Sequence, residues 1–107
     1  MERELTVPPA AEDDPKAFEI LRVWAAGGQQ HVSLFWDLWD DPATWGIMLA
    51  DLAGHVANAF YQERGVAKAQ ILKVIQSMFN DELAAPTDSP SGKVQNKRRP
   101  HRKGPKE

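Results

Sequence analysis

One stretch, Trp39 to Tyr61 (WDDPATWGIMLADLAGHVANAFY), limits what this chain can become more than any other. Trp45, Leu49, Leu52, Val56 and Phe60 recur at helical spacing, so the stretch predicts one long amphipathic helix. Asp41 is placed to cap its N-terminus, and Pro42 fits the first helical position, where no amide donor is needed. The helix should run to about Arg64, with Gly65 as a left-handed residue just past its end. A core-facing stripe of that length needs a partner surface.

A second helix is expected from about Val66 to Leu83, with Ile71, Leu72, Ile75, Met78 and Phe79 as its stripe and Lys68, Lys73, Gln76 and Asp81 facing water. The short glycine turn makes the two helices antiparallel neighbours. Gly46 and Gly54 lie eight residues apart near one face. They either let another backbone approach closely or merely weaken the helix by about 1 kcal/mol each. The region from Asp14 to Ala85 is small enough to be only modestly stable, which makes a homodimer an expected way of burying more surface.

Upstream, AFEILRVWAAGGQQHVSLF admits two readings. In the first, Gly27-Gly28 is a two-residue hairpin turn, since primed turns need positive φ. Leu21 then faces Leu34, Val23 faces Val32 and Ala25 faces Gln30 on one side of the ribbon. The other side pairs Ile20 with Phe35, Arg22 with Ser33 and Trp24 with His31, which keeps Arg22, Ser33 and His31 off the core. In the second reading, Asp14 caps a helix from Pro15 to Ala26. The hairpin is preferred, because His31 to Phe35 reads as a strand and a lone strand leaves its backbone donors unpaired.

Charge is unevenly spread. The formal total is −2, but Met1–Ala85 holds 6 Lys+Arg against 13 Asp+Glu, a balance of −7, while Pro86–Glu107 holds 7 against 2, a balance of +5. Residues 1–13, with Pro8, Pro9 and an acidic cluster, are expected to form an extended leader in which Leu5 to Val7 could add an edge strand. Residues 14–85 form one small domain, and residues 86–107, rich in proline and cations, are expected to be disordered. Within that tail Lys97, Arg98, Arg99, Arg102 and Lys103 make a candidate polyanion-binding cluster, without aromatic side chains for base stacking. The alternatives for the tail are a solubilising role and contact with an acidic membrane surface.

Chemistry-bearing patterns are few. The absence of cysteine excludes disulfides, thiolate nucleophiles and cysteine-based zinc sites, and is compatible with a reducing cytoplasm. No apolar leader or membrane-spanning run is present. Asp51 and His55 are four apart on one helix turn, where a carboxylate could orient an imidazole, with Asn58 continuing the ridge. A solvated ion pair is the simpler account. A metal site would need His31 to join them, and nothing in the spacing demands it, so no metal and no cofactor is expected. The linker FWDLWDDP carries Trp36 and Trp39, whose indoles either close the end of a small core or form an exposed aromatic patch.

The run RVWAAGGQQHVSL followed by WDDPATWGIMLADLAGHVANAF resembles a family of small bacterial proteins classed as a domain of unknown function, over roughly Leu5 to Asp88. That resemblance implies a bacterial cytosolic α+β domain, strands first, with no assigned activity or functional residue. The expected fold is therefore α+β: an N-terminal antiparallel β-hairpin packed on two antiparallel α-helices, followed by a disordered basic tail. The expected function is a non-enzymatic interaction or adaptor module, self-associating, that uses Trp24, His31, Phe35, Trp36 and Trp39. The alternative is a nucleic-acid-binding accessory protein acting through its tail.

Overall fold

The computed structural model describes residues 3–87. They form a short helix α1 (Pro9–Asp13), strands β1 (Leu21–Ala26) and β2 (Gln29–Leu34), and helices α2 (Ala43–Arg64) and α3 (Lys68–Ala84). The architecture is α+β, a two-stranded antiparallel sheet followed by two long helices. The described residues fall into two compact units, one ending at Leu38 and one beginning at Trp39.

In the first unit the hairpin reading holds and the Pro15–Ala26 helix does not. Gly27 and Gly28 have φ of +60° and +75°, as a type I′ turn requires. With the loop fixed at two residues the register follows: Leu21 pairs Leu34, Arg22 pairs Ser33, Val23 pairs Val32 and Trp24 pairs His31. The Phe35 amide donates to the Ile20 carbonyl at 2.9 Å and carries the ladder one step further. Asp14 caps a single turn rather than a helix. Its carbonyl accepts from the Ala17 amide at 3.0 Å and its Oδ1 from the Lys16 amide at 2.9 Å, with Pro15 at the position that proline favours.

The leader differs from expectation. Residues Pro9–Asp13 turn into helix α1 because Pro9 supplies the fixed φ of a first turn, and the Pro8 carbonyl accepts from the Ala11 and Glu12 amides. The described residues contain no strand at Leu5–Val7, and Leu5 is exposed. Arg3 and Glu4 instead lie on the Arg22–Trp24 side of the ribbon, which corrects the expected orientation. Arg22 and Trp24 are half-buried, while Val23 and Val32 stand open to solvent.

In the second unit α2 is bounded as the sequence implies. Pro42 has αR dihedrals, and Asp41 Oδ1 accepts a hydrogen bond from the Ala43 amide at 2.9 Å, so Asp41 does the capping. At the other end Gly65 is left-handed (φ +69°), and its amide donates to the Tyr61 carbonyl at 2.9 Å. Three residues, Gly65–Ala67, then return the chain, and α3 packs on α2.

The bulky stripe of α2 is not buried. Leu72 of α3 shares a groove with Ala50, Gly54 and Ala57, and Ala57 is buried. Leu49, Leu52 and Val56, roughly 140° away around the helix, remain exposed. Of the stripe expected on α3, Ile71 and Ile75 are half-buried, whereas Leu72, Met78 and Phe79 are exposed. Ala57 is the one apolar residue that is buried among the described residues, so their core is thin. Neither helix glycine is a close-packing point: a Cβ at Gly46 or Gly54 would meet nothing within 4 Å.

Candidate functional site

The hairpin sets its aromatic residues by register. Alternation places Ile20, Arg22 and Trp24 on one side of β1 and His31, Ser33 and Phe35 on the same side of β2. Trp24 is stacked under the Arg3 guanidinium, 5.5 Å from the ring centroid. His31 is exposed, with Nε2 3.2 Å from the Ala26 carbonyl oxygen. Phe35 is half-buried and meets Phe18 edge-on, centroids 5.6 Å apart. Trp36, which follows directly, is 55% exposed. Trp24, His31 and Phe35 therefore share one face of the ribbon, and Trp36 lies in the same unit.

Trp39 belongs to the second unit. It is half-buried against Trp45 with ring centroids 5.2 Å apart and planes at 72°. The indoles of the linker thus divide: Trp39 fills space at the start of α2, and Trp36 shows more than half its surface to solvent.

The charged part of the hairpin face is a three-member cluster. Arg22 Nη1 lies 2.6 Å from Glu4 Oε2, and Nη2 lies 3.0 Å from Glu19 Oε2. Arg22 Nε also donates to Glu19 Oε1 at 3.1 Å. Hydrogen bonds to the Glu19 and then the Glu4 carboxylates favour the charged guanidinium and hold its pKa above the ordinary arginine value.

Asp51 and His55 line an open groove of about 350 Å³ with Gly54, Ala57, Asn58 and two residues of α3, Lys68 and Leu72. No hydrogen bond or ion pair joins Asp51 to His55 among the described residues. His31 is in the other unit, and no group of three His, Cys, Asp or Glu side chains converges among the described residues. Lys68 was not apparent as a member of this groove, because its place depends on how Gly65–Ala67 turns the chain. Its ammonium also sits 5.2 Å from the Tyr61 ring centroid.

The cationic cluster Lys97, Arg98, Arg99, Arg102 and Lys103 lies outside the described residues. No described helix is long and apolar enough to cross a membrane.

Residues 4–87 match a family described as a domain of unknown function, DUF5076. No curated protein matches the chain. A solved structure from the photosynthetic bacterium Rhodopseudomonas palustrus CGA009, provisionally described as a pyruvate dehydrogenase, is similar to it at 28% identity. That similarity has a TM-score of 0.67 and covers 89% of this chain and 97% of the other.

Proposed function

This chain belongs to DUF5076, a domain family of unknown function, and from that premise we propose that it is a small, self-associating interaction or adaptor module without catalytic activity of its own. The binding surface is the aromatic side of the hairpin, Trp24, His31 and Phe35, together with Trp36, which follows Phe35 in the same unit. The observation that carries this reading is the 55% exposure of Trp36. An indole left largely in water beside other aromatic side chains is a typical anchor for a protein partner. Support for a non-catalytic role comes from Asp51 and His55, which line an open groove without bonding to each other. The dehydrogenase description of the structural relative adds no residue to this site. A bacterial cytoplasmic setting belongs to the same reading, supported by the bacterial source of that relative.

The test is affinity capture from native lysate with the full chain and with Trp36→Ala. Proteins retained by the first and lost by the second identify the partner, and an unchanged set sinks the reading. The rival is weak polyanion binding through the basic tail, favoured by the +5 balance of residues 86–107. Removing residues 93–107 then abolishes retention on heparin at low salt, and unaltered retention eliminates it.

A further inference from the structure

We infer that the N-terminal leader is a built-in competitor for the hairpin face: Arg3 and Glu4 occupy the places at Trp24 and Arg22 that a partner's peptide segment, carrying a cation beside a carboxylate, takes in their stead. The inference deepens the proposed function and rests on its choice of the hairpin as the binding surface.

The face offers two neighbouring places of opposite demand, both within the first unit. Alternation along β1 puts Arg22 and Trp24 on one side of the ribbon, about 7 Å apart. The half-buried Trp24 ring attracts a cation, and the Arg3 guanidinium carbon stands 5.5 Å from its centroid. Arg22 attracts a carboxylate, and Glu4 Oε2 lies 2.6 Å from its Nη1. Consecutive residues with long side chains span that separation, so one short segment with a cation followed by an acid fills both places.

Arg22 is prepared for an exchangeable anion. Its Nε donates to Glu19 Oε1 and Oε2 at 3.1 and 3.2 Å, and its Nη2 lies 3.0 Å from Glu19 Oε2. These bonds come from a residue three positions earlier and do not depend on the leader. They fix the guanidinium and leave Nη1 for a carboxylate from elsewhere, here that of Glu4.

The leader itself is held lightly. It adds no strand to the two-stranded sheet, and Leu5, next along, is 96% exposed. Charged side chains hold it, and not a backbone ladder or apolar burial. A cation–π contact and an ion pair open to solvent together favour the seated leader by roughly tenfold. Contacts that weak suffice because residues 5–18 tether the leader at an effective concentration of about 1 mM. A partner that needs the vacated places then binds with an affinity lowered by about the same tenfold factor.

The probe is the leader as a free peptide, residues 1–8 with blocked ends and a fluorescein label, titrated with the full chain and with the full chain carrying Arg3→Ala and Glu4→Ala. Fluorescence anisotropy should give a midpoint about tenfold lower for the double variant than for wild type. In proton–nitrogen correlation spectra the double substitution should shift the Trp24 indole N–H while the Gly27 and Gly28 amides stay in place. Unlabelled peptide, added to about 10 mM, should return that indole signal toward its wild-type position, and a peptide with alanine at both charged positions should not. Equal midpoints for the two chains overturn the inference, as does a peptide that fails to bind or an alanine peptide that binds as well. Loss of the hairpin in the double variant also overturns it, since the leader would then be part of the fold and not a latch upon it. Trp36→Ala should leave the peptide midpoint unchanged, so failure of capture through Trp36 is read separately from failure of this exchange.

Discussion

Trp39 and Trp45 meet edge to face, 5.2 Å between centroids and 72° between planes, at the point where the chain enters α2. The edge of one indole faces the π-cloud of the other, a geometry worth about 0.5–1.5 kcal/mol beyond the area it covers. Trp39→Ala should therefore lower unfolding stability by about 1–3 kcal/mol, and Trp39→Phe by less than half of that, read from urea midpoints. Equal losses for the two variants would show that area and not ring geometry matters.

The cap at Asp41 acts two residues along the chain, at Ala43. Asp41→Ala removes the acceptor for the Ala43 amide and should cost about 1 kcal/mol. Asp41→Asn keeps the acceptor but loses the charge near the helix N-terminus, so it should cost about 0.3–1 kcal/mol, and that smaller loss should fade with added salt. Denaturant titrations at low and high salt separate the two contributions.

Glycine behaves oppositely at two places. At Gly28 (φ +75°), Gly28→Val should destabilise the hairpin by about 1–2 kcal/mol through backbone strain alone, visible as loss of cross-strand amide protection in hydrogen exchange. At Gly54, in mid-helix with open space around it, Gly54→Ala should stabilise by about 1 kcal/mol in thermal melts.

Arg22 should make no contribution to pH dependence in the ordinary range. Its folded-state pKa is raised by Glu19 and Glu4, so the associated stability is fully present below the unfolded arginine value and is lost only as pH climbs past the folded one. Wild type and Arg22→Gln should differ by a constant amount between about pH 6 and about pH 9. The difference should be about 0.5–1 kcal/mol at low salt, because these side chains are partly solvated. Melts at the two pH values check it.

Much of this fold can be read from residues because local chemistry decides it. A Gly-Gly pair permits one kind of two-residue loop, and that loop fixes every partner from Leu21–Leu34 to Ala26–Gln29. Asp41-Pro42 and Gly65 mark the ends of α2 for equally local reasons. The start of α3 falls at Lys68 rather than Val66, and no capping side chain at Ala67 announces it. Helix α1, five residues long, leaves no periodicity to detect. Amphipathic spacing shows that Leu49, Leu52 and Val56 seek cover, but it is silent on what covers them. The sequence likewise could not show that Ala50, Gly54 and Ala57 would line a groove with Lys68 and Leu72 of α3. For the same reason Trp36 and Trp39 could not be told apart by sequence, since neighbours in space decided their exposure.

The left-handed residue at Gly65 also governs what the two helices are prevented from becoming. An L-residue there favours continuing the coil, and α2 and α3 joined without a break would make a single rod of about 60 Å. A rod of that kind cannot fold back on itself, so its second half would seat on the first half of another molecule. One achiral residue thus separates a chain that closes its own helix pair from one that exchanges α3 between molecules.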